Sequence, residues 1–98
     1  SMDNLIELFE QVKDIEDPME RARLLNDRVL PAADAFRRSA IAERALSVKE
    51  ASDFGNGGDG FTYSQIAKEM GVSKPLVQQM VALARSIQEQ KMLNRRKL

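Results

Sequence analysis

The chain has 98 residues with 15 basic and 15 acidic side chains and neither cysteine nor histidine, which excludes disulfides, thiol catalysis and the usual zinc ligand sets. Apolar residues make up 43%, enough for a modest core in one domain. No apolar run approaches the roughly 20 residues of a membrane span and no charged-then-apolar leader stands in the sequence, so the expected location is the cytoplasm.

Leu5, Leu8, Phe9, Val12 and Ile15 recur on one helical face and predict a first helix from about Asp3 to Ile15. Asp17 as N-cap, Pro18 at the first helical position and Glu20 three beyond the cap predict the start of a second. From there Ala22, Leu25, Val29, Ala32, Phe36 and Ala40 carry an apolar face toward Ala51, interrupted by Pro31. Proline lacks an N–H and crowds the carbonyl of Asp27, so a kink or short break is expected near Val29-Leu30, leaving one bent helix or two. The interleaved arginines and carboxylates of this stretch, from Glu20 to Arg44, read as a solvated face with intrahelical pairs.

Residues 52–60, SDFGNGGDG, read as a flexible connector. Its glycines spell GxGxxG without the preceding strand that motif needs, and its Asp53, Asn56 and Asp59 lack the closing glutamate of a calcium loop. No carboxylate pair in an apolar setting and no base beside a serine support catalysis, so no enzyme activity, metal or cofactor is expected.

The motif that carries most information runs from Phe61 to Arg85. Thr62 and Gln65 are spaced as a capping box, Phe61 and Ile66 as a hydrophobic staple, and Gly71 stands where a first helix must close at positive φ. Ser73 is placed to cap a second helix with Pro75 in its first turn. Ile66 and Met70 share a face of the first helix, Val77 and Met80 a face of the second, Val72 plugs the turn and Ala67 marks the crossing. The pattern Ile66-Ala67-Lys68-Glu69-Met70-Gly71-Val72-Ser73-Lys74-Pro75-Leu76-Val77 resembles the helix-turn-helix of bacterial and phage transcription regulators and the DNA-binding helices of sigma factors. A looser similarity upstream, through Asp17-Pro18-Met19-Glu20-Arg21-Ala22 and a long charged helix, is to small actinobacterial and phage regulators of that sigma-like kind.

The resemblance implies binding of double-stranded DNA. A second helix seated in the major groove presents its N-terminal and outer residues to base edges: Ser73, Lys74, Pro75, Gln78 and Gln79, with Ala82 and Arg85 further along. The glutamine amides suit adenine, and Lys74 suits guanine or phosphate. Thr62, Tyr63, Ser64 and Gln65 fall near the DNA backbone. Charge agrees, since residues 1–50 hold 11 acidic and 8 basic side chains while residues 60–98 hold 2 acidic and 7 basic. The tail cations Lys91, Arg95, Arg96 and Lys97 contact phosphate or simply solubilise a frayed end.

One helix reads too few base pairs to select a genomic site, so a homodimer on a palindromic operator is expected, with half-sites about 34 Å apart. The candidate interface is Leu5, Phe9, Val12, Val29 and Phe36, although packing within the monomer competes for the same face. The fold expected is all-α: a small bundle of an N-terminal helix, a long helix kinked at Pro31 and a C-terminal helix-turn-helix, with residues 1–51 as support, 52–60 as connector and 61–98 as the DNA-binding region. A nucleoid-associated repressor is the leading expectation. The alternative is a protein-interaction module that binds RNA polymerase or a partner regulator.

Overall fold

The computed structural model describes residues 2–97; Ser1 and Leu98 lie outside it. The fold is all-α, with no strand among the described residues. Helix α1 is Met2–Lys13, α2 Pro18–Leu24, α3 Leu30–Phe54, α4 Tyr63–Met70 and α5 Lys74–Arg96, with a π-helical turn at Leu25–Val29 and a 3₁₀ turn at Asn56–Gly58.

The second start signal works as its chemistry demands. An Asp17 carboxylate oxygen accepts the amide of Met19 at 3.1 Å, and Pro18 occupies a position whose N–H would have no partner. The Arg21 guanidinium donates to the Ile15 carbonyl at 2.8 Å and ties the turn after α1 to the first turn of α2.

Pro31 does not break the chain into two helices. Leu24 and Leu30 both keep right-handed helical angles, and the Leu30 amide reaches the Leu25 carbonyl, five residues back. The widened turn opens room for the proline ring against the carbonyls that precede it. It also corrects the apolar face read from the sequence. One extra residue rotates everything after it by about 100°, so Ala32, Phe36 and Ala40 are exposed, while Ala33, Ile41, Ala45 and Val48 lie at the more buried positions.

Two compact units divide within α3, between Ala40 and Ile41, and not at the connector. In the first, α1 packs against residues 18–29 as a helical hairpin. Val12 and Val29 are its buried side chains, at 3% and 7% exposure. Both were candidate dimer contacts; packed inside their own unit, they are not available to a partner. Leu5 is half-buried, and Phe9 and Phe36 are exposed.

In the second unit, Ala45 and Val48 of α3 close a core with Ile66 and Ala67 of α4 and with Val77, Met80, Val81 and Ala84 of α5. Each large apolar side chain buried here contributes about 1.5–3 kcal/mol. Ala45 and Ala84 have no exposed surface, which marks them as places where helices approach closely. Val72 packs on this core as expected, whereas Met70 is 39% exposed and does not share the buried face with Ile66. Met70 is the last residue of α4 and lines the open α3 side of the helix with Ile66, whereas Ala67 is buried in the core.

The connector is an ordered turn, and its first three residues are helical. The Ala51 carbonyl accepts the amides of both Gly55 and Phe61 at 3.0 Å, and the Gly55 carbonyl those of Gly58 and Gly60.

Candidate nucleic-acid interface

Helix α4 begins with both halves of a capping box: the Thr62 hydroxyl accepts the Gln65 amide at 3.1 Å and the Gln65 side-chain oxygen accepts the Thr62 amide at 2.8 Å. It ends at Gly71, whose φ of 70° permits the paired closing bonds from the Val72 amide to Ala67 and the Gly71 amide to Lys68. One extended residue later the Ser73 hydroxyl accepts the Leu76 amide at 3.2 Å, and α5 begins with Pro75 in its first turn. The three-residue link therefore leaves little freedom between the two helices.

On α5 the inner face is Val77, Met80, Val81 and Ala84, all buried. At about 100° per residue, Pro75, Gln78, Gln79 and Ala82 fall on the opposite side, with Lys74 and Arg85 along one edge, and all six are exposed. The outer surface thus begins with a lysine in a first turn where Pro75 has no N–H and Ser73 caps the Leu76 amide, and continues with two adjacent amides, each able to donate and accept.

Four candidates serve the fold as well. Thr62, Gln65 and Ser73 use side-chain oxygens as caps, leaving the Gln65 amide nitrogen as the outward donor. Tyr63 packs half-buried against the core, while Ser64 is exposed.

The electrostatics of the described residues separate in the same way. Ion pairs join Lys13 to Glu10, Arg38 to Asp34 and Lys49 to Asp53, all before residue 54. Lys68, Lys74, Arg85, Lys91, Arg95 and Arg96 enter none among the described residues. The tail is not frayed coil: α5 continues as helix through Arg96, so its cations ride on a regular scaffold. An unpaired cation loses no existing partner when it meets a phosphate.

No family model, curated protein or solved structure matches the chain. No helix among the described residues is long and apolar enough to cross a membrane.

A second surface in this unit escaped sequence reading. A groove of about 850 Å³ runs between α3 and α4, with Arg44, Val48, Ala51 and Ile66 among its lining and Phe61 and Met70 exposed along it. Its signal in the sequence is the apolar Met70, whose four-residue spacing from Ile66 points equally to the core.

Proposed function

We propose that this protein is a sequence-specific double-stranded-DNA-binding regulator of the cytoplasmic nucleoid, a repressor that acts as a homodimer on a palindromic operator. In this reading α4 and α5 work as a helix-turn-helix, with α5 in the major groove. The observation that carries it is the division of α5 between a fully packed inner face and an exposed outer face of Lys74, Pro75, Gln78 and Gln79, on a segment whose cations enter no ion pair among the described residues. Gln78 and Gln79 read base edges, Lys74 meets guanine or phosphate, and Ser64, Arg85 and the tail cations hold the backbone. Thr62, Gln65 and Ser73 present the first turns of both helices, and Tyr63 braces the start of α4. A dimer doubles the base pairs read, and occupying the operator blocks access to it.

The test is selection of duplexes from a random library at near-physiological salt, run beside the Lys74→Ala/Gln78→Ala/Gln79→Ala variant. An enriched palindrome that the variant fails to recover supports the reading. No enrichment by the folded protein removes it.

The α3–α4 groove favours a second reading, in which this unit docks on RNA polymerase or a partner regulator through apolar contact. The two differ in salt response: phosphate binding falls steeply as salt rises, and an apolar interface hardly changes.

A further inference from the structure

The cations of α5 are not one group. The helix is regular from Lys74 to Arg96, so eleven residues make about three turns and about 16 Å of rise and return to within about 20° of the same direction. Lys74, Arg85 and Arg96 stand eleven residues apart. They line one edge of α5 over about 33 Å, flanking the outer face of Pro75, Gln78, Gln79 and Ala82. The opposite edge holds Leu76, Leu83, Gln90 and Asn94 and no charged side chain of the helix. Lys91 and Arg95 follow neither edge. They continue the line of Val77 and Ala84, which faces the core for as long as the core lasts. At about 100° per residue they stand on the back of α5, about 150–170° from the centre of the outer face.

All five cations are exposed and enter no ion pair among the described residues, so position is what separates them. A helix seated with its outer face on the floor of the major groove turns its edges to the phosphates that wall the groove and its back to solvent or to its own domain. We infer that α5 holds the duplex backbone through the Lys74/Arg85/Arg96 edge alone, and that Lys91 and Arg95 make no contact with the duplex that α5 reads. Glu89 stands on the gripping side, four residues after Arg85, exposed and without an ion-pair partner among the described residues. Its carboxylate opposes the phosphates between Arg85 and Arg96 and lowers the grip of the edge. This rests on the DNA-binding reading above and narrows the backbone contact of Lys91, Arg95 and Arg96 to Arg96.

The test is fluorescence anisotropy of the full chain on a labelled duplex of mixed sequence. Salt runs from about 0.15 to 0.4 M, where the Debye length of about 8 Å or less is shorter than the helix diameter of about 10–12 Å. Lys74→Ala, Arg85→Ala and Arg96→Ala should each weaken binding several-fold and lower the slope of log affinity against log salt by about 0.9 per bound chain. Lys91→Ala/Arg95→Ala removes more charge than any of them and should leave the slope unchanged, while Glu89→Gln should tighten binding several-fold. All the positions changed are exposed, and circular dichroism checks that each variant stays helical. A slope that falls with the charge removed, wherever it sits, overturns the inference, as does a Glu89→Gln variant that binds no better. A wild type that binds no duplex at the lowest salt removes the DNA-binding reading itself. A wild type that binds, with Lys91 and Arg95 counting as much as Arg85 and Arg96, removes this inference only.

Discussion

Gly60 sits so close to the backbone of Ser52 that a methyl group on its α-carbon would stand 2.1 Å from the Ser52 carbonyl oxygen. Its φ of 81° adds a conformation that other residues adopt at a cost. Gly57, at φ 68°, has open space around the same position. Gly60→Ala should therefore lower stability by about 2–3 kcal/mol or more, and Gly57→Ala by about 1 kcal/mol. Urea unfolding of the two variants in parallel checks the order; equal losses would mean the close approach to Ser52 is relieved by a shift of the turn.

The caps give a second expectation. Ser73→Ala removes the oxygen that holds the Leu76 amide and should cost about 1 kcal/mol, with Ser73→Asp retaining most of it. Thermal unfolding followed by circular dichroism reads the difference. A null effect of the alanine variant would show that water satisfies the first turn of α5 equally well.

Packing at the centre of the second unit sets a third. Ala84 is fully buried, so Ala84→Leu should lose about 1–3 kcal/mol through overpacking, and Met80→Ala about 2–5 kcal/mol through the cavity it leaves. The same enlargement at exposed Ala82 should be close to neutral. If Ala82→Leu destabilises as much as Ala84→Leu, the inner face of α5 has been misplaced.

The outer face makes demands on DNA binding that differ residue by residue. Lys74→Ala should weaken binding across sequences and flatten the salt dependence by about one counterion, whereas Gln79→Ala should relax preference at particular base pairs. Titrations of an enriched and a scrambled duplex over a salt series separate the two; a uniform loss for Gln79→Ala would count against base reading.

Local chemistry was the most legible part of this sequence. Asp17, Thr62 with Gln65, Gly71 and Ser73 each act through bonds to residues at most five positions away, so spacing alone placed them. Pro31 announced a conflict but not its resolution, because a kink, a break and an inserted residue share the same local cause, and the π turn then shifted the apolar phase of everything after Val29. The glycines of the connector read as freedom, yet Gly60 is needed for an approach to Ser52 that composition does not reveal. Val12 and Val29 were indistinguishable from Phe9 and Phe36 for a similar reason: all four fit an apolar stripe, and which of them a neighbouring helix covers depends on packing beyond the stripe itself. The outer face of α5 was legible because period fixes sides. The double use of Thr62, Gln65 and Ser73 as caps narrows what they can offer a ligand.

Helix α5 is held by different forces along its length. Its buried residues end at Ala84, and every position from Gln88 to Lys97 is exposed. Amide protons around Val77 to Ala84 should exchange with solvent only when the whole unit opens, while those beyond Gln88 exchange by unwinding of a stretch sustained by helix propensity and the Gln90–Asn94 side-chain bond. The residues proposed to read bases therefore stand on the long-lived half, and the terminal cations on a half that can coil or uncoil in place. An anion lying along Lys91, Arg95 and Arg96 would slow exchange there first, and that local protection would record contact even where affinity is too weak to isolate a complex.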